Sequence, residues 1–290
     1  METHPIPSAA TLSNATKEII VGAAGGQPFD IVKVRMQTQN DRHALQVARN
    51  IWVREGSLAF YKGSLSPLIG VGTCIGIVYS SFDIYSRALR SLNPQGHDLL
   101  SLKQMYLAGG LAGLTNSLIS GPMEHIRIRL QVQSPNSPYQ RYTGVYDCLR
   151  TILQRAGPLG IYRGQTATMA REFHSYGIWF SLYEFLMRQM IRGGESGREQ
   201  LARWKVASCG ALTGTVLWAL NYPFDVIKSK MQADGFGHER QFLTTWDAVR
   251  HTWCISGWRG FVRGLGPTLL RAGPVSASTF VVVEEVRKHL

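Results

Sequence analysis

The sequence predicts an all-α membrane protein built from three tandem repeats of about 100 residues each. Two motifs, each present three times, indicate this. The first is proline, any residue, acid, two residues and base, at Pro28–Lys33, Pro122–Arg127 and Pro223–Lys228. The second runs from a glycine to an aromatic or aliphatic residue, a base and a glycine, at Gly56–Gly63, Gly157–Gly164 and Gly257–Gly264. Its final glycines are 101 and 100 residues apart, so both motifs recur in constant phase.

Composition narrows the class of protein. The 290 residues are 44% hydrophobic and carry a formal charge of +12, which suits an anionic membrane surface or an anionic ligand. A nucleic-acid partner is not expected, since no nucleic-acid-reading motif accompanies the charge. The four cysteines lack disulfide or zinc spacing, and no metal site is expected. The N-terminus shows no secretory signal pattern. No nucleophile–base set or phosphate loop suggests an enzyme.

The first repeat spans residues 14–95, after an N-terminal tail at residues 1–13. Its first helix runs from Asn14 past Pro28 to Gln37 and combines apolar residues with glycines. A short amphipathic helix covers Arg42–Arg54, and the second long helix covers Ser64–Leu89.

The second repeat (96–195) and the third (196–290) have the same plan. The predicted helices are Leu102–Gln133, Val145–Gln154 and Gln165–Ile191, then Trp204–Ala233, Thr244–Cys254 and Leu265–His289. The long helices carry small and polar residues at helical spacing, which suits spanning helices that face lipid on one side and a wet interior on the other. Glycines four residues apart, at Gly22/Gly26, Gly109/Gly113 and Gly210/Gly214, allow close packing between membrane helices.

The first helix is shorter than its two counterparts. Pro122 follows Gly113 by nine positions and Pro223 follows Gly214 by nine, but Pro28 follows Gly26 by two. A deficit of seven residues amounts to roughly 10 Å of helix, or two turns. This difference either shifts one wall of the interior or marks a gene product that is longer than the sequence as written.

The tripled motifs, over nearly the whole chain, resemble those of the mitochondrial carrier family. The resemblance implies six kinked transmembrane helices in a pseudo-threefold bundle with three short matrix helices, as a multi-pass protein of the mitochondrial inner membrane. It implies a monomer that transports a small molecule by alternating access to one central site. Prolines inside membrane helices produce kinks, here at Pro28, Pro122 and Pro223.

The resemblance also implies two gates. In the matrix gate, the acid of one repeat pairs with the base of the next; its residues are Asp30, Lys33, Glu124, Arg127, Asp225 and Lys228. The cytosolic gate retains Asp83, Glu184, Glu284 and Arg287, but Ser86 and Met187 stand where bases are expected, with Arg87 and Arg188 one residue late. We infer a weak cytosolic gate and expect the substrate-free protein to be open to the intermembrane space.

The family's substrate contact points correspond to Gly70, Arg171 and Arg271. Glu172 follows Arg171, and an Arg-Glu pair there resembles carriers of amino acids and of carnitine esters. Guanidinium binds a carboxylate and a carboxylate binds an ammonium, so the site suits a zwitterion or a cationic amino acid. Trp218 and His174 are further candidates, each with an alternative interpretation as ordinary packing.

The resemblance implies no cofactor except structural cardiolipin. Its head groups are expected on helix N-termini with free N–H groups beside Gly56, Gly63, Gly157, Gly164, Gly257 and Gly264.

The leading hypothesis is a transporter of basic amino acids, such as ornithine, arginine and lysine, or of small ones, such as glycine and glutamate. An acylcarnitine carrier is the second. A membrane protein that does not transport, or one that leaks protons, is the third, because of the short first helix.

Overall fold

The computed structural model describes residues 28–38, 43–61, 65–92, 100–133, 142–192, 203–237 and 240–269. The shortened stretch between Gly26 and Pro28 lies outside them. The helices are α1 (residues 28–38), α2 (Ala44–Glu55), α3 (Leu65–Ser91), α4 (Leu102–Val132), α5 (Val145–Ala156), α6 (Gln165–Arg192), α7 (Arg203–Ala233), α8 (Thr245–Ser256) and α9 (residues 265–269). No strand occurs in these ranges, so the all-helical prediction is confirmed here, and the bounds of α2 to α8 lie within two residues of those predicted.

The long helices α4 and α7 each have 31 residues and contain the motif prolines Pro122 and Pro223 in their interiors. Pro28 is the first residue described in α1. Across the described part of the chain, the helices lack the combination of length and apolarity that a membrane crossing requires.

Glycines bring α4 and α6 close together. A methyl group at Gly113 would lie 2.4 Å from the backbone oxygen of Glu172, and one at Gly109 would lie 2.5 Å from that of Tyr176. Those distances are far below van der Waals contact, so only glycine permits this approach. The predicted role of the Gly109/Gly113 pair in helix packing is therefore supported by the structure.

Each short helix packs on the C-terminal half of the long helix before it. In the first repeat, Val47 and Ile51 of α2 are buried with Ile31 and Val32 of α1. The corresponding clusters join Cys148 and Ile152 to Ile126 and Leu130, and Ala248 to Ile227 and Met231. Each repeat thus has an equivalent local core of its own, and this core fixes the segment that carries the acid and the base of the first motif.

Candidate functional site

A cavity of about 410 Å³ lies between α1, α3, α4, α6 and α7. Its walls hold four basic and four acidic side chains among the described residues: Lys33, Arg127, Arg171 and Lys228, with Asp30, Glu124, Glu172 and Asp225. Ionisable groups at this depth in a helix bundle are costly unless they are paired, and they mark functional sites. All eight are residues that the sequence analysis singled out.

Six of these side chains form three ion pairs, and each pair joins one repeat to another. Arg127 Nη2 lies 2.6 Å from Asp30 Oδ2, and Lys33 Nζ lies 2.7 Å from Asp225 Oδ2. Lys228 Nζ contacts Glu124 Oε2. Each acid therefore pairs with the base of the next repeat, and the acid of the third repeat pairs with the base of the first. This is the order that the family resemblance implied for the matrix gate.

Lys33 is held by more than its ion pair. Its ammonium lies 4.4 Å from the ring centroid of Trp218 and 5.6 Å from that of Tyr222, within cation–π range. Gln37 Nε2 donates a hydrogen bond of 3.0 Å to Asp225, the acid that Lys33 pairs with. Trp218 lines the cavity as well, so it is placed both for a ligand and for this gate residue.

Arg171 links the predicted substrate site to the ring of ion pairs. Its Nη2 atom donates to both carboxylate oxygens of Glu124, at 2.9 and 3.1 Å, and also contacts Glu172. Glu124 is therefore shared by Arg171 and Lys228. A ligand that binds Arg171 acts directly on one of the three ion pairs.

The other predicted substrate contacts have different positions. His174 is not among the residues that line the cavity; its Nδ1 atom lies 2.5 Å from Tyr106 Oη, and its ring stacks on Phe224. Arg171, Ser175 and Trp179 occupy the cavity face of α6 at four-residue intervals, and His174 lies on the neighbouring face. Gly70 belongs to α3, and Arg271 lies outside the described residues.

The described part of the cytosolic gate forms ion pairs within single helices. Arg87 Nη2 lies 2.6 Å from Asp83 Oδ2 on α3, and Arg188 Nε lies 2.9 Å from Glu184 Oε1 on α6. Both pairs have i,i+4 spacing, and Arg188 also donates to the carbonyl of Leu100. Glu284 and Arg287 fall outside the described residues.

The motif glycines act as helix caps. Gly56, Gly157 and Gly257 have φ between 56° and 82° and follow α2, α5 and α8, where their N–H groups bond to a carbonyl of the same helix. The expectation of free N–H groups at these three glycines is therefore wrong, because the groups close the preceding helix. Gly164 and Gly264 also have positive φ and precede α6 and α9, whereas Gly63 lies outside the described residues.

The cavity residues that sequence reasoning missed include Cys74 on α3, and Asn116 and Ser120 on α4. The last two could have been found, because they precede Glu124 by eight and four residues on the same helix face. Cys74 stands in no motif, and its sequence context gave no signal.

Comparison with known proteins identifies the family. The model of the family described as mitochondrial carrier protein matches residues 8–93, 99–194 and 199–290, which confirms the three tandem repeats. The chain therefore belongs to the mitochondrial carrier family and is a multi-pass protein of the mitochondrial inner membrane.

Its relatives include carriers of two substrate groups. The chain is 38% identical to the glutamate/glycine mitochondrial carrier ymc1 of Schizosaccharomyces pombe, over 99% of each chain. It is 37% identical to the mitochondrial glycine transporter YMC1 of Saccharomyces cerevisiae, over 98% of this chain and 94% of the relative. It is 39% identical to the human mitochondrial basic amino acids transporter, over 92% of this chain and 86% of the relative.

Proposed function

We propose that this chain transports amino acids across the mitochondrial inner membrane by alternating access through the central cavity. The observation that carries the proposal is the adjacent pair Arg171 and Glu172 in the cavity wall. The Arg171 guanidinium is suited to a substrate carboxylate, and the Glu172 carboxylate to an ammonium. The relatives' names, which refer to glycine, glutamate and basic amino acids, support the same substrate class.

The charge of the cavity favours a zwitterion. Its four basic and four acidic described side chains balance, so a ligand that carries one charge of each sign adds no net charge. A substrate with a large net charge would leave part of that charge uncompensated in a partly desolvated site, which is costly. We therefore place small zwitterionic amino acids first and basic ones second.

The arrangement of ion pairs corresponds to a state closed on the matrix side. All three pairs between repeats are formed there, whereas Asp83 and Glu184 pair with bases of their own helices. A base held within its own helix does not connect neighbouring repeats. This supports the expectation that the substrate-free carrier is open to the intermembrane space.

Arg171 provides the coupling between substrate and gate. When a substrate carboxylate binds Arg171, it competes with Glu124 for the same guanidinium. Glu124 then loses one of its two basic partners and keeps Lys228, so substrate binding changes the surroundings of the ion pair that connects the second and third repeats. Substrate shifts the equilibrium between the two states by this difference in binding.

An acylcarnitine carrier, which would use the same Arg-Glu pair, is less favoured. The relatives named above refer to amino acids and not to carnitine. A quaternary ammonium binds well on an aromatic face, and the Trp218 face already holds Lys33 at 4.4 Å, which leaves Tyr176 and Trp179 in the cavity wall. We further propose that cardiolipin binds at the N-termini of α6 and α9, and that the carrier is a monomer.

The test is uptake of labelled substrates into cardiolipin-containing liposomes. Glycine, glutamate, arginine, ornithine and carnitine are each supplied to the purified chain and to Arg171→Ala and Glu172→Gln variants. We expect uptake of an amino acid that both variants abolish. Uptake of carnitine alone would support the second candidate, and no uptake of any compound would contradict amino-acid transport and support a non-transporting protein.

A parallel sample addresses the short first helix. Seven apolar residues are inserted between Gly26 and Gln27, which restores the length found in the other two repeats. Uptake by the original chain shows that the short helix is compatible with transport. Uptake that requires the insertion would show that this sequence is a shortened form of a carrier.

A further inference from the structure

Asn116 is a buried amide that faces the cavity with an unused acceptor. It lies on α4, and its side chain lines the cavity although the residue is 2% exposed. Nδ2 donates toward Glu172 Oε2 at 3.5 Å, the long limit of a hydrogen bond. Oδ1 has no hydrogen-bond partner among the described residues. Buried polar atoms are nearly always bonded, so this acceptor calls for a ligand.

Ser120 adds a second acceptor on the same face. It follows Asn116 by one helical turn, lines the same cavity and is 8% exposed. Its Oγ atom has no hydrogen-bond partner within the described part of the chain. The neighbouring buried serine, Ser117, differs, because its Oγ donates to the carbonyl of Leu114.

The donors and acceptors here match one chemical group. An ammonium carries three donors and no acceptor, whereas an ionised carboxylate only accepts. Because Glu172 faces the amide nitrogen of Asn116, the amide oxygen is left for another donor. Glu172, Asn116 Oδ1 and Ser120 Oγ together offer acceptors for the three hydrogens of an ammonium.

The opposite end of such a ligand has a donor available. Arg171 contacts Glu172 directly, and its Nε atom has no hydrogen-bond partner within the described ranges. A carboxylate that binds the guanidinium therefore lies next to the acceptors on α4. The carboxylate and ammonium of an α-amino acid are separated by one carbon atom, which suits two such adjacent positions.

We propose that Asn116 determines specificity in this carrier by binding the α-ammonium group of the substrate, together with Glu172 and with Ser120 as a supporting acceptor. The inference rests on the proposed amino-acid transport and assigns a residue of α4 to it. It explains why an amide is buried beside a carboxylate that already has a partner in Arg171. It predicts discrimination between an amino acid and the 2-hydroxy acid of the same skeleton.

The test compares uptake of glycine with uptake of glycolate, which replaces the ammonium by a hydroxyl. Asn116→Leu removes the amide at similar size, and Asn116→Asp keeps an acceptor oxygen. We expect Asn116→Leu to raise the KM for glycine by about tenfold or more while the KM for glycolate changes little. Asn116→Asp is expected to retain the preference for glycine over glycolate.

A serine pair provides the matched control. Ser120→Ala is expected to raise the KM for glycine, whereas Ser117→Ala, on the same helix and also buried, is expected to leave it unchanged. Thermal unfolding in detergent checks that each variant folds, and a folded Asn116→Leu should lose the rise in Tm that glycine produces in the parent chain.

The outcomes separate this inference from the proposed function. If the parent chain takes up glycine but Asn116→Leu leaves the KM for glycine unchanged, the inference is overturned and amino-acid transport stays in place. The same holds if Asn116→Leu raises the KM for glycine and for glycolate equally. An unfolded Asn116→Leu together with an Asn116→Asp that no longer prefers glycine would overturn it as well. No amino-acid uptake by the parent chain would overturn both.

Discussion

Replacement of Gly113 by alanine tests the close contact of α4 with α6. The added methyl would lie 2.4 Å from the backbone oxygen of Glu172, about 1 Å short of ordinary van der Waals contact. A backbone oxygen inside a helix cannot rotate away, so α6 must move. Overpacking of this kind costs about 1–3 kcal/mol, and alanine recovers about 0.5–1 kcal/mol through its better helix propensity. The net loss of stability is about 1–2 kcal/mol.

Gly76 on α3 is the matched control, since it is also an interior helix glycine but a methyl group added there would meet no atom of the described residues within 4 Å. Thermal unfolding in detergent is expected to show a Tm lower by roughly 2–8 °C for Gly113→Ala and unchanged or slightly higher for Gly76→Ala. Amino-acid uptake should fall in Gly113→Ala, because Glu172 moves with α6. Equal Tm values for the two variants would refute the close-contact argument.

Three further predictions concern separate features. Trp218→Leu removes the aromatic ring that contacts Lys33, an interaction worth about 1–2 kcal/mol. It should increase substrate leak through the matrix gate, measured as efflux without counter-substrate, and unchanged efflux would contradict this. Burial raises the pKa of the Cys148 thiol to about 11. At about pH 8 a maleimide should therefore label exposed Cys254 far faster than buried Cys148, as measured by peptide mass spectrometry, and equal rates would contradict this. Backbone N–H donors at the start of α8 lower the pKa of Asp247, so its ionised form stabilises the fold above the ordinary carboxyl pKa, and this stabilisation is lost as the pH falls. Asp247→Asn should therefore lower Tm at neutral pH but not in acid. A difference in Tm that does not depend on pH would contradict this.

The sequence predicted the repeat plan and the paired residues well, because both depend on local patterns that recur. Helix bounds follow from apolar spacing and terminal glycines, and these signals are contained in each segment. The pairing of Asp30 with Arg127, and of Lys33 with Asp225, came from the family resemblance, since no local pattern reports which repeats meet.

Other features depend on tertiary neighbours and were not predicted. For His174 the sequence left a cavity position and ordinary packing both open, and the choice between them depends on Tyr106 and Phe224, which contact its ring. The glycines of the second motif suit both a helix N-terminus and a helix C-terminus in sequence. Their positive φ values and bonded N–H groups identify those that follow α2, α5 and α8 as C-terminal caps.

The residue before the first glycine of the second motif is an acid, Glu55, in the first repeat, but Ala156 and Ser256 occupy that position in the other two repeats. In the first repeat, Arg35 binds Glu55 through two hydrogen bonds. The equivalent position in the second repeat is Ala156, and there Arg129 donates to the carbonyl of Asp234 and lies 3.8 Å from the centroid of Phe236. A single sequence gives no signal for this replacement, because the new partners come from the third repeat.

The two late bases of the cytosolic gate illustrate the same limit. The sequence indicated that Arg87 and Arg188 stand one residue beyond the expected position. It did not indicate that this shift creates i,i+4 pairs with the gate acids Asp83 and Glu184. The spacing from each acid to its base was present in the sequence, but the competition between partners in different repeats is a tertiary property.

The most direct test of the central claim is protection of Cys74, which lines the cavity, by a transported amino acid. The three other cysteines, Cys148, Cys209 and Cys254, are replaced by alanine, and the reaction of Cys74 with a small thiol reagent is followed in detergent. We predict that a saturating amino-acid substrate slows labelling by about tenfold, while its 2-hydroxy analogue has little effect. Unchanged labelling by an amino acid that the same variant transports would contradict the assignment of this cavity as the substrate site.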